Sequence, residues 1–497
     1  MDRDFYEIDR EKSVAIMSGL ICCSTVFTTT DIYAKDVTLD TEQPAITENV
    51  TSKSIQSIPQ DKSWWSSAEY IYWWTKNNGS PPLLIAGPQQ GSIPNTFTSP
   101  ATGFIGLFTL TSTPINLNLN NATDVVFGNP IDSPSNSGGR FALGKWLSPT
   151  VGVEVSYLFM AKSSTNFAGS PDMSNSAIPF FDVTNDLQSS YPINMPLTTT
   201  LKHVFLNTTP GIFVHLFNTE TSTSSLGNMS SSLSSSLQAA DLNGLWSLNN
   251  DTTQPLALIG GFRFVQLNED LNLSSSVTRQ NDSTTLLEPA LGIPGQQSFI
   301  NNSTSDIFRQ DNFRTRNNFF GAQLGGRGEY RVGSWSLFGS GQASIGNMRE
   351  NVNVSGITNF DNTSIITPTK TILVAGVPLI VPTGDPNILT TTSSQEDSGL
   401  FAQPTNSGNH TQNVIAGVIQ GDVKLRYYFS PTCNLSAGYT VMYLSSVVQP
   451  GEQIVNGINP ESLNVPFTNF DTSQPKFQFR TTDYWAQGVN IGLNLRY

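Results

Sequence analysis

Charged side chains recur at every second position in several segments, each time between apolar or small neighbours. The residues that follow this pattern are Glu69, Glu154, Arg263, Arg327, Glu329, Arg331, Asp422, Lys424, Arg426 and Arg496. Alternate side chains of a β-strand share one face, so these charges would line a single surface. Rings of charge inside a pore set its ion selectivity, whereas opposite charges on neighbouring strands form stabilising pairs. We favour pairing, because opposite charges such as Arg327 and Glu329 lie close together in the chain.

The sequence gives little support for catalysis or metal binding. Its histidines, His203, His215 and His410, lie in no nucleophile motif, and serine is so abundant that a serine near a histidine carries no information. Beyond the N-terminal region the only cysteine is Cys433, and no metal-ligand spacing occurs. We therefore expect no enzymatic activity, no cofactor and no metal site.

The segments that would position the charges alternate between apolar and polar residues. The clearest one ends the sequence, where Trp485, Val489, Ile491, Leu493, Leu495 and Tyr497 share one face and small or polar residues share the other. A strand of a transmembrane barrel needs this division between lipid and lumen. Aromatic residues near strand ends could form girdles at the membrane interfaces, although ordinary β-sheet packing also enriches them. The girdle candidates are Trp73, Trp74, Trp335, Tyr439, Tyr443, Trp485 and Tyr497.

Composition excludes several classes of protein. Of the 497 residues, 13% are charged, against about 25% in a typical soluble protein. No segment after the N-terminal region reaches the roughly 18 consecutive apolar residues of a membrane-spanning helix, which argues against a helical membrane protein. The net charge of −13 argues against nucleic acid as a partner, because that needs a basic face.

The N-terminal region predicts export. Arg10 and Lys12 precede an apolar stretch from Val14 to Phe27, and Ile32-Tyr33-Ala34 offers a cleavage site. A buried helix of a soluble domain is the alternative. We predict a signal peptide at 1–34, a polar linker at 35–62 and a barrel domain at 63–497.

Short turns and long polar segments alternate along the predicted barrel domain. The short turns are Ser148-Pro149-Thr150, Val332-Gly333-Ser334 and Ser430-Pro431-Thr432, and the predicted long loops are 77–136, 160–196, 219–240 and 358–411. Short turns at one end and long loops at the other are typical of outer-membrane barrels. The sequence thus predicts an all-β, antiparallel transmembrane β-barrel of about 12 strands, with short periplasmic turns and long extracellular loops.

Four blocks of sequence resemble the BBP7 (beta barrel porin 7) family of outer-membrane proteins. They are Trp64 to Trp74, Gly260 to Leu271, Arg316 to Arg327, and Gly438 to Gln453 continued by Asp483 to the end. Together they span nearly the whole predicted mature chain. The resemblance implies a barrel in the outer membrane and identifies no solute.

Two functions follow from this interpretation, and a third competes with it. The first is porin-like passive diffusion of small solutes through a polar lumen. The second is a non-transporting structural or adhesive role in the cell envelope, with the loops as the working surface. The third is a soluble, secreted β-sandwich adhesin, which would also show alternating strands. For a barrel, the expected partners are outer-membrane lipid, the barrel-assembly machinery and small solutes, but no nucleic acid.

Overall fold

The computed structural model describes residues 64–87, 96–98, 107–111, 124–169, 175–209, 212–249, 254–287, 298–374, 377–463 and 474–497. The predicted signal peptide and linker lie outside these ranges. No helix in the described part of the chain is long and apolar enough to cross a membrane.

The described chain forms 19 strands and two short 3-10 helices. The strands are β1 (Trp64–Thr75), β2 (Pro82–Ala86), β3 (Thr96–Thr98), β4 (Leu107–Thr111), β5 (Asp124–Gly128), β6 (Asn136–Trp146), β7 (Val151–Ala168), β8 (Ser176–Asp182), β9 (Leu187–Thr209), β10 (Ile212–Ser247), β11 (Leu256–Leu287), β12 (Ser298–Val332), β13 (Trp335–Val374), β14 (Val377–Pro382), β15 (Ile388–Glu396), β16 (Gly408–Ser430), β17 (Cys433–Val448), β18 (Gly457–Ile458) and β19 (Thr481–Arg496). The 3-10 helices are Gly451–Gln453 and Pro460–Leu463.

Ten of these strands close into a ring. Its order is β1, β6, β7, β10, β11, β12, β13, β16, β17 and β19, and β19 pairs back with β1. All ten pairings are antiparallel, which confirms the predicted antiparallel barrel. The ring has ten strands and not about 12, because patterns counted as separate strands, such as 256–267 and 271–279, belong to one continuous strand, β11.

An apolar band surrounds the outside of the ring near the short turns. Its exposed side chains include Phe262, Leu324, Ile345, Ile415 and Val423, with 56–82% of their surface accessible. A soluble β-sandwich would not expose an apolar band of this extent to water, so the β-sandwich alternative is wrong. A hydrocarbon environment accounts for it.

A polar boundary limits the band on the side away from the short turns. On successive strands the outward side chains change there to amides, and Gln266 donates a hydrogen bond to Asn318 (2.8 Å). We take the membrane-spanning part of the ring as residues 64–74, 139–146, 151–160, 239–247, 256–265, 319–332, 335–345, 415–430, 433–444 and 485–496. Strand residues beyond these ranges lie outside the membrane.

The turns at the other limit of the band are as short as the sequence predicts. β12 and β13 are joined by Gly333 and Ser334 alone, and Gly333 takes the positive φ of +61° that such a turn requires. β16 and β17 are joined by Pro431 and Thr432. In outer-membrane barrels the short turns face the periplasm, and we call this the turn end of the barrel.

The segments predicted as long loops contain much of the sheet. Residues 219–240 lie within β10, and 358–411 contain the end of β13, all of β14 and β15 and the start of β16. Likewise 77–136 includes β2 to β5, and 160–196 includes the end of β7, β8 and part of β9. Sequence reasoning misses β10, the outer part of β13 and β15 because these strands lie beyond the membrane, where their outward faces contact water and carry Ser, Thr and Asn in place of apolar residues. In contrast, β2, β5 and β8 are short strands of infolded segments.

Two apolar clusters fill the inside of the barrel. One, the apolar layer, includes Ile71, Trp73, Leu158, Met160, Leu237, Val265, Leu267, Phe319, Met348, Val418, Met442 and Tyr484. The other, the plug core, joins the upper barrel wall to infolded segments; it includes Leu83, Leu84, Ile178, Phe180, Ile193, Leu271, Phe313, Phe401 and Ile458. Several infolded segments form a second small sheet of β2, β5, β8, β18 and the first part of β9.

Close backbone contact at the seam where β19 meets β1 requires glycine. A Cβ added at Gly488 would overlap the carbonyl oxygen of Tyr72 in the facing strand, whereas one added at Gly339 would meet nothing within 4 Å. We predict that Gly488→Ala destabilises the folded barrel by roughly 1–3 kcal/mol through overpacking. The matched control Gly339→Ala should remain within about 1 kcal/mol of the wild type. Denaturant titration in detergent, followed by gel mobility with and without heating, measures both; equal effects would contradict the close contact.

Candidate functional site

A charged cavity occupies the turn end of the barrel interior. Its volume is about 210 Å³, and many of the charges singled out in the sequence line it: Glu69, Glu154, Arg327, Glu329, Asp422, Lys424, Arg426 and Arg496. Their side chains share the inner face because each alternates with an outward apolar residue, as Glu69 does with Tyr70.

The first group of charges is centred on Arg140. Its guanidinium Nη2 lies 2.8 Å from Glu69 Oε2 and 2.6 Å from Asp422 Oδ1. Lys424 pairs with the other oxygen of Glu69, and Thr440 donates a hydrogen bond to Asp422 (2.6 Å). Glu69 and Arg140 face each other on neighbouring strands, but Asp422 lies on β16, so the group ties together strands that are not adjacent.

A second ion pair also crosses the interior. Arg327 Nη1 of β12 lies 2.8 Å from Glu154 Oε2 of β7. The indole nitrogen of Trp65 donates a hydrogen bond to the same oxygen (2.9 Å), and the Arg327 guanidinium lies 5.4 Å from the Trp65 ring. The carboxylate of Glu154 therefore has two donors from two different strands.

A third pair lies between direct neighbours in the sheet. Arg263 Nε donates to Asp241 Oδ1 at 2.7 Å, and its Nη2 donates to Asp241 Oδ2 at 2.9 Å. The same Nη2 also donates to Gln342 Oε1 at 2.6 Å. Two parallel N–H···O bonds are the strongest arrangement of arginine with a carboxylate.

A fourth group joins β12, β13 and β16 near the turns. Arg426 Nη1 lies 2.8 Å from Glu329 Oε2, and the Arg426 guanidinium lies 3.8 Å from the ring of Phe338. Phe338 interrupts the alternation of β13 in the sequence; here its inward position gives the cation an aromatic face. Arg331 lies over the ring of Tyr428 at 3.9 Å. Arg496 is exposed at the mouth of the cavity.

Most of the predicted lumen charges are therefore paired. Glu69, Glu154, Arg263, Arg327, Glu329, Asp422, Lys424 and Arg426 all form ion pairs. Arg327 and Glu329, the neighbours proposed as an example of pairing, each use a different partner.

Sequence reasoning missed two central members of these groups. Arg140 follows Gly138 and Gly139 just before the strand pattern that begins at Phe141, so it was not counted as part of the strand. Asp241 directly follows the serine-rich segment interpreted as a loop. For Arg140, continuing the alternation by one residue toward the N-terminus would have found the inward charge. Asp241 was missed because no strand was predicted between the serine-rich segment and residue 256.

The girdle candidates divide between the two faces. Trp74, Trp335, Tyr439 and Tyr497 are 40–58% exposed on the outer face, and Tyr443 and Trp485 are half-buried on it. Trp73 is 1% exposed and lies in the apolar layer, so its assignment to the girdle is wrong. It shares the face of Glu69 and Ile71, because odd-numbered residues of β1 point inward.

Above the cavity the apolar layer closes the lumen. Along β11 the inward side chains run from Arg263 through Val265 and Leu267 to Glu269 and Leu271. On β16 the inward order away from the turns is likewise Asp422 and Gln420, then Val418 and Ala416. The members of the layer are at most 4% exposed. The layer therefore separates the charged cavity from the plug core.

Hydrogen bonds from the barrel wall hold an infolded segment and the end of β17 in place. Asp311 accepts bonds from the backbone N–H groups of Leu400 (3.2 Å), Phe401 (2.9 Å) and Ala402 (2.7 Å). Asn317 donates to the carbonyl oxygen of Val448 (2.9 Å) and accepts from its N–H (2.8 Å). Burial raises the pKa of Asp311 to about 6, against the lowering effect of the three N–H donors.

Glu269 lies just above the apolar layer and outside the membrane-spanning part. It is 2% exposed, and the amide of Asn78 donates a hydrogen bond to its Oε1 (3.1 Å). Burial raises the pKa of Glu269 to about 8. The side chain is therefore mainly protonated at neutral pH.

The remaining candidates for chemistry are scattered. His410 lies against Asn406 O (3.3 Å) and stacks on Phe477 at 3.7 Å, and the side chains of His203 and His215 lie outside the described residues. Within the described ranges no group of three or more His, Cys, Asp or Glu residues is placed to hold a metal ion.

The closed antiparallel ring, its apolar outer band and its paired inner charges define a transmembrane β-barrel. The chain belongs to the family described as "Putative beta barrel porin-7 (BBP7)", whose sequence profile matches residues 65–376 and 381–497. This membership agrees with the resemblance seen in the sequence and places the protein in the outer membrane.

Comparison with other proteins adds little to this assignment. No curated protein matches the chain. Among solved structures, the outer membrane protease OmpT from Escherichia coli shares 10% identity, with 89% of this chain and 100% of that chain covered and a TM-score of 0.32. A FadL homologue from Pseudomonas aeruginosa shares 7% identity, with 88% and 90% covered and a TM-score of 0.20. Scores of this size do not identify a shared function.

The Arg140 group gives a test of the paired interior. We predict that Arg140→Met destabilises the barrel by about 3–5 kcal/mol, because Glu69 and Asp422 lose a shared buried cation. Adding Asp422→Asn should recover part of the loss by removing one unpaired charge. The control Arg314→Gln breaks an exposed pair with Asp270 and should cost about 0–1 kcal/mol. Unfolding in detergent measures all three; similar losses for Arg140→Met and Arg314→Gln would refute the role of the group.

Glu269 gives a pH-dependent prediction. A carboxyl whose pKa is raised on folding from 4.5 to about 8 favours the folded state at low pH, and this contribution is lost as pH rises through that window. Between pH 6.5 and 8, the free energy of unfolding should fall with a slope of up to about 1.4 kcal/mol per pH unit. Glu269→Gln should flatten it, whereas Glu461→Gln, at an exposed position, should not. Melting temperatures measured across this range test the prediction, and identical slopes in wild type and Glu269→Gln would contradict it.

Proposed function

We propose that this protein is a closed outer-membrane barrel with a structural or adhesive role in the cell envelope, and that solutes do not diffuse through it in the described conformation. The observation that carries the proposal is the apolar layer, whose members are at most 4% exposed across the lumen. A general diffusion pore needs a polar, water-filled lumen. The plug core lies above this layer and adds a second barrier.

The extracellular part of the sheet supports a role at the cell surface. β12 and β13 continue far beyond the membrane-spanning part. The section of β12 that starts at Ser298 and ends before Phe320 is roughly 70 Å long at about 3.3 Å per residue. β15 pairs with the outer section of β13 and is exposed along most of its length. It carries Ile388 and Leu389, which are 54% and 65% exposed. Such a raised, polar sheet with a few apolar side chains suits contact with other envelope or surface molecules.

Passive diffusion of small solutes is the second candidate. The charged cavity at the turn end favours it, because polar walls of this kind line conducting barrels. Passage would require the apolar layer and the infolded segments to move. Under either function, outer-membrane lipid would contact the apolar band, and the barrel-assembly machinery would have to close the seam between β1 and β19.

Planar-bilayer recordings distinguish the two candidates. We expect purified, heat-modifiable wild-type protein to insert without discrete conductance steps. The double variant Trp73→Ala, Phe319→Ala removes two large side chains of the apolar layer and should conduct more often than the wild type. The conservative control Met442→Leu, in the same layer, should stay closed.

The opposite result would favour diffusion. Stable, ohmic steps from the wild type at every insertion would mean that the described conformation opens readily, and the closed-barrel proposal would then be wrong. Insertion itself is checked by the gel mobility shift on heating of protein recovered from the vesicles.

A further inference from the structure

Two arginines of the barrel wall lie against one tyrosine of the infolded segments. The guanidinium carbons of Arg279 on β11 and Arg309 on β12 are each 4.7 Å from the centre of the Tyr191 ring. All three residues are outside the membrane-spanning part. Arg309 is 2% exposed and Tyr191 is 4% exposed, whereas Arg279 is half-buried and leaves a route to solvent.

Several hydrogen-bond donors at this position are buried and have no partner within the described part of the chain. They are Nε of Arg279, Nε and Nη1 of Arg309, the hydroxyl of Tyr191 and the hydroxyl of Ser225, which faces Arg279 across the sheet. Arg309 uses only Nη2, which donates to the carbonyl oxygen of Leu463 at 2.7 Å. A buried polar group without a partner costs free energy, and a cluster of such groups of one kind indicates a missing acceptor.

The carboxylate nearest in the sequence does not supply that acceptor. Asp311 lies on the same face of β12, but it already accepts three backbone hydrogen bonds from residues 400–402. Burial lowers the pKa of Arg309; Tyr191 and Asp311 oppose this effect, whereas the nearby charge of Arg279 lowers the pKa further. Among the described residues, the two cations thus share a desolvated position in which no carboxylate forms a hydrogen bond with either of them.

Arg263 shows what a compensated buried arginine looks like in this barrel. Its side chain is also fully buried, but it forms two parallel bonds with a carboxylate, Asp241, and a third bond with Gln342, so that only its Nη1 lacks a partner among the described residues. Burying a charge is costly unless it is paired and hydrogen-bonded. The contrast between the two sites is the reason for assigning a ligand to the second.

We propose that Arg279, Arg309, Tyr191 and Ser225 form a binding site for a small oxyanion, a phosphate or a carboxylate, inside the extracellular half of the barrel. Guanidinium groups bind both anions through paired N–H donors, and the two hydroxyls can donate to the remaining oxygens. The bound anion would neutralise both arginines and fix Tyr191, and with it the hairpin of β8 and β9, against the wall. The site is independent of whether the barrel conducts.

Calorimetric titration of the full-length protein in detergent tests the site. Inorganic phosphate and acetate are added in separate experiments at matched ionic strength. We expect saturable binding at one site per chain for at least one of the two, with a concentration-dependent rise in melting temperature. The anion that binds more tightly identifies the ligand class.

Variants decide whether binding occurs at this position. Arg309→Gln should weaken the affinity at least tenfold. Arg279→Gln should have the same effect, and it serves as the test if Arg309→Gln does not fold, because its half-buried position tolerates substitution more readily. Arg314→Gln on the outer face of the same strand should bind like the wild type. Absence of saturable binding by the wild type, or unchanged binding by a folded Arg309→Gln or Arg279→Gln protein, would overturn the proposal.

Discussion

The hydrogen-bonded seam between β1 and β19 is the contact on which the rest of the structure depends. Eleven facing residue positions join the first strand of the ring to the last one. A sheet edge left open in the hydrocarbon would expose unpaired N–H and C=O groups, each costing several kcal/mol. Closing the ring satisfies these groups, and it also creates an enclosed interior. Each inward side chain then has to find a partner inside that enclosure.

The charges at the turn end meet this requirement by pairing across the lumen. Arg140 joins Glu69 to Asp422, which lies several strands away around the ring. A buried pair of this kind adds little net stability when it forms but costs several kcal/mol when one partner is removed. The network therefore favours one arrangement of the strands over others, which is a reason for keeping charged residues in a position where apolar ones would also pack.

The upper part of the interior is closed by apolar side chains and by folded-in chain. The order along β11, from Arg263 through Leu267 to Leu271, places a charged level, an apolar layer and the plug core one above another. Inward side chains of the wall bind backbone groups directly: Asp311 accepts from the infolded residue Ala402, and Asn317 accepts from Val448 at the end of β17. The family name suggests an open pore, whereas this interior is packed across the lumen. Within the described residues, Arg279 and Arg309 together leave three buried guanidinium N–H donors without a partner beside one tyrosine ring.

The amino-acid sequence by itself determined the class of fold, the short turns and the face on which the predicted charges lie. It could do so because the membrane imposes strict alternation, so that Tyr70 and Glu69, or Val423 and Lys424, are forced to opposite sides. Only the tertiary structure decided the number of strands in the ring and the partners of the charges. Beyond the membrane water contacts the outer face, alternation weakens, and strands such as β10 resemble loops in sequence. Which charges meet across the lumen depends on the curvature and register of ten strands together, and no local pattern encodes that.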